Sequence, residues 1–205
     1  MVSGLKEVVF AGRSNVGKST LFSTLLKTNA RKGKRPGTTI KPNTFQVGRV
    51  LFTDLPGFGY VSGVGKGFNE RIKDFVVRYI ENNASRIVAS VEVIDASSFV
   101  EIAERWESRG EIPIEIEMFE FLDEVTPKVF VAANKMDKVE DPRLLDTIAE
   151  KLGMQPPWQN WKHVIYPVSA KKGNVEKLKR DLKQHLISMG LKDASKAFRG
   201  SSGRG

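Results

Sequence analysis

The sequence predicts an α/β fold of three layers, with a mostly parallel six-stranded sheet and helices on both faces. Three observations carry this reading. Short apolar, β-branched runs alternate with segments whose apolar residues recur at helical spacing, the pattern of parallel sheets covered on both sides. The chain has 205 residues, enough for one well-cored domain and too few for two. Residues with chemistry of their own fall at the ends of the strand-like runs, where open α/β sheets bind ligands.

In order along the chain, KEVVFAG (6–12) is a short apolar run ending in glycine, a buried strand. Residues 17–27 place Leu21, Phe22, Leu25 and Leu26 at helical spacing. Residues 28–43 are polar and basic, contain Pro36, Gly37 and Pro42, and read as a loop. TFQVGRVLFTD (44–54) is two short strands joined near Gly48, and residues 55–67, with five glycines, read as a mobile loop. An amphipathic helix is expected over 68–82 and a strand over 86–95. Helix follows over 99–124, interrupted near Gly110 and Pro113, then a buried strand over 128–135 and a helix over 141–152. A strand over 163–170 and a last helix over 174–189 complete the domain, assigned to residues 1–190. The tail 191–205 is small, polar and basic and reads as disordered, so its deletion is expected to leave nucleotide affinity unchanged.

Net charge is +9, which attracts polyanions but says nothing about fold. Six basic residues and no acidic one lie between Lys27 and Lys41, whereas nine acidic residues face two arginines between Glu101 and Glu124. Cysteine is absent, which excludes disulfides and thiolate metal sites and leaves no lipidation cysteine. No apolar run approaches a membrane span, and the N-terminus does not resemble a leader. The expectation is a soluble, monomeric cytoplasmic protein.

Gly12–Arg13–Ser14–Asn15–Val16–Gly17–Lys18–Ser19, followed by Thr20, matches the phosphate-binding pattern GxxxxGK[ST] between a strand and a helix. Its glycines let backbone N–H groups wrap phosphates, and the helix adds its positive dipole end. Lys18 would reach the β- and γ-phosphates, and the Ser19 hydroxyl would ligate Mg²⁺. Asp54–Leu55–Pro56–Gly57 ends a strand: Asp54 would hold Mg²⁺ through water, and the Gly57 N–H would meet the γ-phosphate. Alone that tetrapeptide is an ordinary turn; after a P-loop it is a strong signal. Asn134–Lys135–Met136–Asp137 reads the base. A carboxylate at Asp137 accepts both N1–H and N2–H of guanine, whereas adenine would leave it unpaired. Asn134 ties this loop to the P-loop, the Lys135 stem covers the base, and Ser169–Ala170–Lys171 offers the Ala170 N–H to guanine O6. Thr38 or Thr39, in RPGTT, would close over Mg²⁺ and the γ-phosphate, and spacing alone does not separate the two. Together these motifs give a P-loop NTPase fold of the Ras-like GTPase kind.

GRSNVGKS (12–19), PGTT (36–39), DLPGFGY (54–60), NKMD (134–137) and SAK (169–171) together resemble the EngB family, within the group that includes Era and MnmE, and the match leans archaeal. It covers about residues 5–190. The resemblance implies GTP hydrolysis with Mg²⁺, Thr39 rather than Thr38 as the switch threonine, and a role in large ribosomal subunit assembly, linked to cell division and septation. In Ras-like GTPases a glutamine after DxxG positions the attacking water; here that residue is Phe58. Catalysis then rests on the P-loop amides, Lys18, Thr39 and Mg²⁺, with slow intrinsic turnover. Related GTPases with asparagine at the Asn15 position bind K⁺, so Asn15 and the loop 28–39 are a candidate K⁺ site. Asn15 also suits a tight turn, and a partner could supply the activating group instead.

The basic loop 27–41 fits rRNA contact or a solvated switch loop equally well. Phe58, Tyr60 and Phe68 fit stacking on bases or local packing, and Trp158 and Trp161 fit packing better. Three functional classes follow: a GTPase assembly factor, a nucleotide-gated RNA- or protein-binding module with negligible hydrolysis, or a GTPase in another RNA-related process. An ATPase or kinase is disfavoured by NKMD.

Overall fold

The computed structural model describes residues 4–26, 41–59, 66–141 and 143–198. Six strands form one sheet: β1 (Lys6–Gly12), β2 (Asn43–Val47), β3 (Val50–Asp54), β4 (Ile87–Asp95), β5 (Val129–Asn134) and β6 (Ile165–Pro167). Their spatial order is β2-β3-β1-β4-β5-β6, and only β2 runs antiparallel to its neighbour. The β2–β3 hairpin turns at Gly48, whose φ of +56° suits glycine. Six helices cover the sheet: α1 (Lys18–Leu26), α2 (Lys66–Asn83), α3 (Phe99–Glu107), α4 (Ile114–Val125), α5 (Leu144–Lys151) and α6 (Glu176–Ser188).

The alternation within β1 splits the core in two. Val8 and Phe10 face one side with Phe22 of α1, Phe130 of β5, and Leu178, Leu182 and Leu186 of α6. Val9 and Ala11 face the other with Val76 of α2, Leu122 of α4 and Ile148 of α5. The expected helix over 99–124 breaks into α3 and α4 at Gly110 and Pro113: Gly110 takes φ +72°, and Pro113 caps α4 in extended conformation. The strand expected over 163–170 is shorter, Ile165–Pro167, and the chain then turns with Ser169 bridged to Asn174. Trp158 and Trp161 lie partly buried in a 3₁₀ turn, against the α2–α5 side of the core. Residues 55–59 are packed rather than loose, with Leu55 and Phe58 buried; residues 60–65 lie outside the described residues.

The tail differs from its expectation. Lys192–Phe198 forms a 3₁₀ helix, and Leu191, Ala194, Ala197 and Phe198 are all buried. Phe198 meets Phe52 of β3 edge to face, ring centroids 5.8 Å apart. Leu191, Ala194 and Ala197 at three-residue spacing, with Phe198 next to them, make one buried face on a segment whose average composition is polar. Residues 199–205 lie outside the described residues.

Candidate functional site

The loop between β1 and α1 wraps tightly because glycine occupies the two positions where no side chain fits. Gly12 has φ +153°, and a Cβ there would lie 2.4 Å from the Val93 carbonyl oxygen. Gly17 has φ +91°, and its Cβ would lie 2.4 Å from Asn134 Nδ2. Asn15 takes the left-handed conformation at φ 68° and is exposed. Lys18 begins α1 and is buried, its ammonium donating to Asp54 Oδ1 and to the Leu55 carbonyl oxygen. Ser19 Oγ donates to Asp54 Oδ2 at 2.7 Å. Thr20, next along α1, is exposed.

Asp54 reaches this point because β3 lies beside β1, with Asp54 opposite Phe10. The residues after it are stitched to the P-loop: Ser14 N–H donates to the Phe58 carbonyl at 2.9 Å, Phe58 N–H to the Gly12 carbonyl at 3.3 Å, and Ser14 Oγ to the Gly57 carbonyl at 3.0 Å. A Cβ on Gly57 would lie 2.9 Å from Ser14 Cα, so only glycine permits this approach. The Phe58 side chain is fully buried in the core. A hydroxyl and a carboxylate 2.7 Å apart, Ser19 and Asp54, suit a hard cation such as Mg²⁺, which usually takes only one or two protein ligands.

The base-reading residues converge from the other side. Asn134, 3% exposed at the end of β5, donates from Nδ2 to the Val16 carbonyl at 2.8 Å and accepts at Oδ1 from the Ala170 N–H at 3.0 Å. One side chain thus joins the P-loop, the NKMD loop and the SAK turn. Lys135 is left-handed (φ 65°), and its ammonium donates to the Asn15 carbonyl at 2.8 Å. Asp137 is exposed and accepts from Ser169 Oγ, which holds its carboxyl below the usual range. Lys171 is exposed beside this turn. Pro36, Gly37, Thr38 and Thr39 lie outside the described residues.

Two acidic residues at this rim carried no motif. Asp95, at the end of β4, accepts from the Lys135 ammonium at 2.5 Å, while its other oxygen accepts from Ser97 Oγ at 2.6 Å and Ser97 N–H at 3.2 Å. Glu115, in the first turn of α4, pairs with Arg13 at 3.3 Å. Arg13 therefore offers phosphate its backbone only, its guanidinium being turned away to α4. Asp95 is not singled out from the sequence; the signal that could have found it is an acid closing a β-branched strand.

Residues 7–135 match the family model described as 50S ribosome-binding GTPase. A relative named "Probable GTP-binding protein EngB" from Archaeoglobus fulgidus is 75% identical over 195 residues, covering 95% of this chain and 99% of that one. One of the same name from Methanosarcina mazei is 52% identical, covering 93% and 92%. The crystal structure of a probable GTP-binding protein engB superposes with a TM-score of 0.80 at 41% identity, covering 89% of this chain and 99% of that one. With family match, fold and motif geometry in agreement, the chain belongs to the EngB family of GTP-binding GTPases, in its archaeal type.

Proposed function

We propose that this protein is a nucleotide-switched GTPase acting in large ribosomal subunit assembly, a cytoplasmic monomer that hydrolyses GTP to GDP and phosphate. The observation that carries the nucleotide half is Asn134, which locks the phosphate loop and both guanine-reading loops into one unit. Guanine would seat with N1–H and N2–H on the Asp137 carboxylate, O6 on the Ala170 N–H, and the Lys135 stem along its face. The phosphates would take the loop amides and the Lys18 ammonium, displacing Leu55 from it. Ser19 and Asp54 would hold Mg²⁺, which supplies charge neutralisation between the β- and γ-phosphates. Thr39 would join them with the γ-phosphate, making residues 36–39 and 54–58 the switch.

Hydrolysis then depends on the phosphate-loop amides and Lys18, since Phe58 is buried where a water-positioning side chain would stand. Slow turnover follows, raised by K⁺ at Asn15 or by the ribosomal partner. Rates that are equal in KCl and NaCl would remove the K⁺ site. The burial of Phe58 also favours a second reading, a nucleotide-gated RNA- or protein-binding module with negligible hydrolysis. A GTPase acting in another RNA-related process remains the alternative to the ribosomal role.

The ribosomal half rests on the family description and on the basic charge. Its test is sedimentation with large ribosomal subunits under GDP and under a non-hydrolysable GTP analogue. Saturable binding with the analogue and little with GDP is expected. Binding that ignores the nucleotide, or vanishes with a modest rise in salt, would reduce the interaction to polyanion attraction. GTP turnover measured with and without subunits separates the GTPase from the gated module.

A further inference from the structure

Arg13 sits in the phosphate loop, yet its side chain leaves the loop and crosses to α4. Its stem passes over Gly59, where a Cβ would lie 3.1 Å from Arg13 Nε and 3.4 Å from Cγ. Gly59 takes φ +87°, a conformation that favours glycine. Beyond it, Arg13 Nη1 meets Glu115 Oε1 at 3.3 Å. The backbones of Arg13 and Phe58 are bridged in parallel, and the Ser14–Phe58 and Phe58–Gly12 hydrogen bonds flank the bridge. Residues 57–59 are thus clamped between the phosphate loop and α4, with Arg13 as the strap.

The strap is anchored in a dry place. Glu115 is 2% exposed, and its position in the first turn of α4 favours a carboxylate. Near it lies Glu92 of β4, fully buried, with no hydrogen-bond partner for either carboxyl oxygen among the described residues. Burial first, and the Glu115 charge second, push the Glu92 carboxyl well above its usual range, which favours its protonated form. Burial raises the Glu115 carboxyl also, and the Arg13 charge opposes this. Releasing Arg13 would leave Glu115 buried, unpaired and next to a second acid, which is the costly way to break an ion pair.

We propose that Glu115 is a positioning residue for the triphosphate state: through Arg13 it fixes residues 57–59 so that the Gly57 N–H stands ready for a γ-phosphate. This rests on the GTPase reading above. A diphosphate does not extend to Gly57, so the strap acts on GTP and not on GDP. No motif covers Glu115, and its partner is 102 positions away.

The test uses the full chain with Glu115→Gln, Glu115→Ala, Arg13→Ala and Arg13→Lys. The control is Glu117→Gln, which removes a carboxylate from the same helix, where it pairs with Lys73 at 2.5 Å. Dissociation constants for GDP and for a non-hydrolysable GTP analogue are measured beside melting curves and single-turnover rates. Glu115→Gln and Glu115→Ala are expected to weaken analogue binding about tenfold, within the usual range of coupling between sites, with GDP affinity within about twofold of the parent, and Arg13→Ala should weaken analogue binding at least as much. Arg13→Lys should retain part of the preference, and Glu117→Gln should change neither. Equal losses for GDP and analogue, or an unchanged analogue affinity in folded Glu115→Gln, would overturn the proposal. If Glu115→Ala does not fold, the near-isosteric Gln variant decides. Failure of the parent protein to bind the analogue or turn over GTP would instead count against the GTPase reading itself.

Discussion

Asn134 and Gly17 form a pair in which each excludes alternatives at the other: the Asn134 amide occupies the space that a Cβ on Gly17 would need, 2.4 Å from Nδ2. The amide is there to satisfy the Val16 carbonyl and the Ala170 N–H. Asn134→Ala strips both of their partner inside a buried site, at about 1–3 kcal/mol each. GDP affinity should fall on the order of 10²-fold, chiefly through faster release, as stopped-flow with a fluorescent GDP would record. Gly17→Ala should lose nucleotide binding outright, since the clash and the positive φ act together.

Asp95 controls where Lys135 lies. One of its carboxylate oxygens accepts from Ser97 and the other from the lysine ammonium. Asp95→Asn should weaken GDP and IDP binding alike, by about tenfold, the scale of a lost charge-assisted contact. Preference between the two bases should hold, because in the proposed seating it is Asp137 that would meet the N2 amine. Titration calorimetry with both nucleotides checks this, and a change in the GDP-to-IDP ratio would contradict it.

Glu92 makes stability depend on pH in an unusual direction. Its folded carboxyl holds a proton at pH values where the unfolded chain, near 4.5, has released it. The native state then binds more protons, so stability falls as pH rises from about 4.5 towards the raised folded value. Glu92→Leu removes that dependence. The variant should gain more stability over the parent at pH 8 than at pH 5, as melting curves at both values would show. Equal differences at the two values would mean that the buried acid is ionised or solvated.

The segment 191–198 is packed into the core, so its removal should cost stability, whereas the sequence alone predicts unchanged nucleotide affinity on deleting the tail. Phe198→Ala opens a cavity against Phe52 and should cost about 3 kcal/mol, and truncation after Gly190 should cost more. Phe52 lies two residues before Asp54 on β3, so nucleotide affinity should drop in the truncated chain as well. Chemical denaturation with GDP titration tests both effects.

Most of the fold was legible because its signals are local. β1, β4 and β5 are mainly apolar, β-branched runs, the β2–β3 hairpin is two short strands marked by Gly48, and their ends could be placed to within a few residues. The shortness of β6 was not legible. Val168 and Ala170 are apolar and buried like strand residues, yet the chain bends after Pro167 to bring the Ala170 N–H to Asn134. The tail was misread because four apolar residues among polar ones give a weak average, and only the space beside Phe52 shows that they have somewhere to go.

The sequence by itself determined the phosphate loop, Asp54, the NKMD and SAK turns, and the alternation that stacks them on one sheet edge. Each is a contiguous motif whose spacing fixes backbone geometry within one turn or strand. The tertiary structure alone decided that Arg13 pairs with Glu115, that Asp95 holds the Lys135 ammonium, and that Glu92 is buried with no hydrogen-bond partner among the described residues. Those are pairings through space between residues tens of positions apart, or the lack of one. Their energies are set by burial and by which charge lies nearest, quantities that exist only once the chain has closed around them.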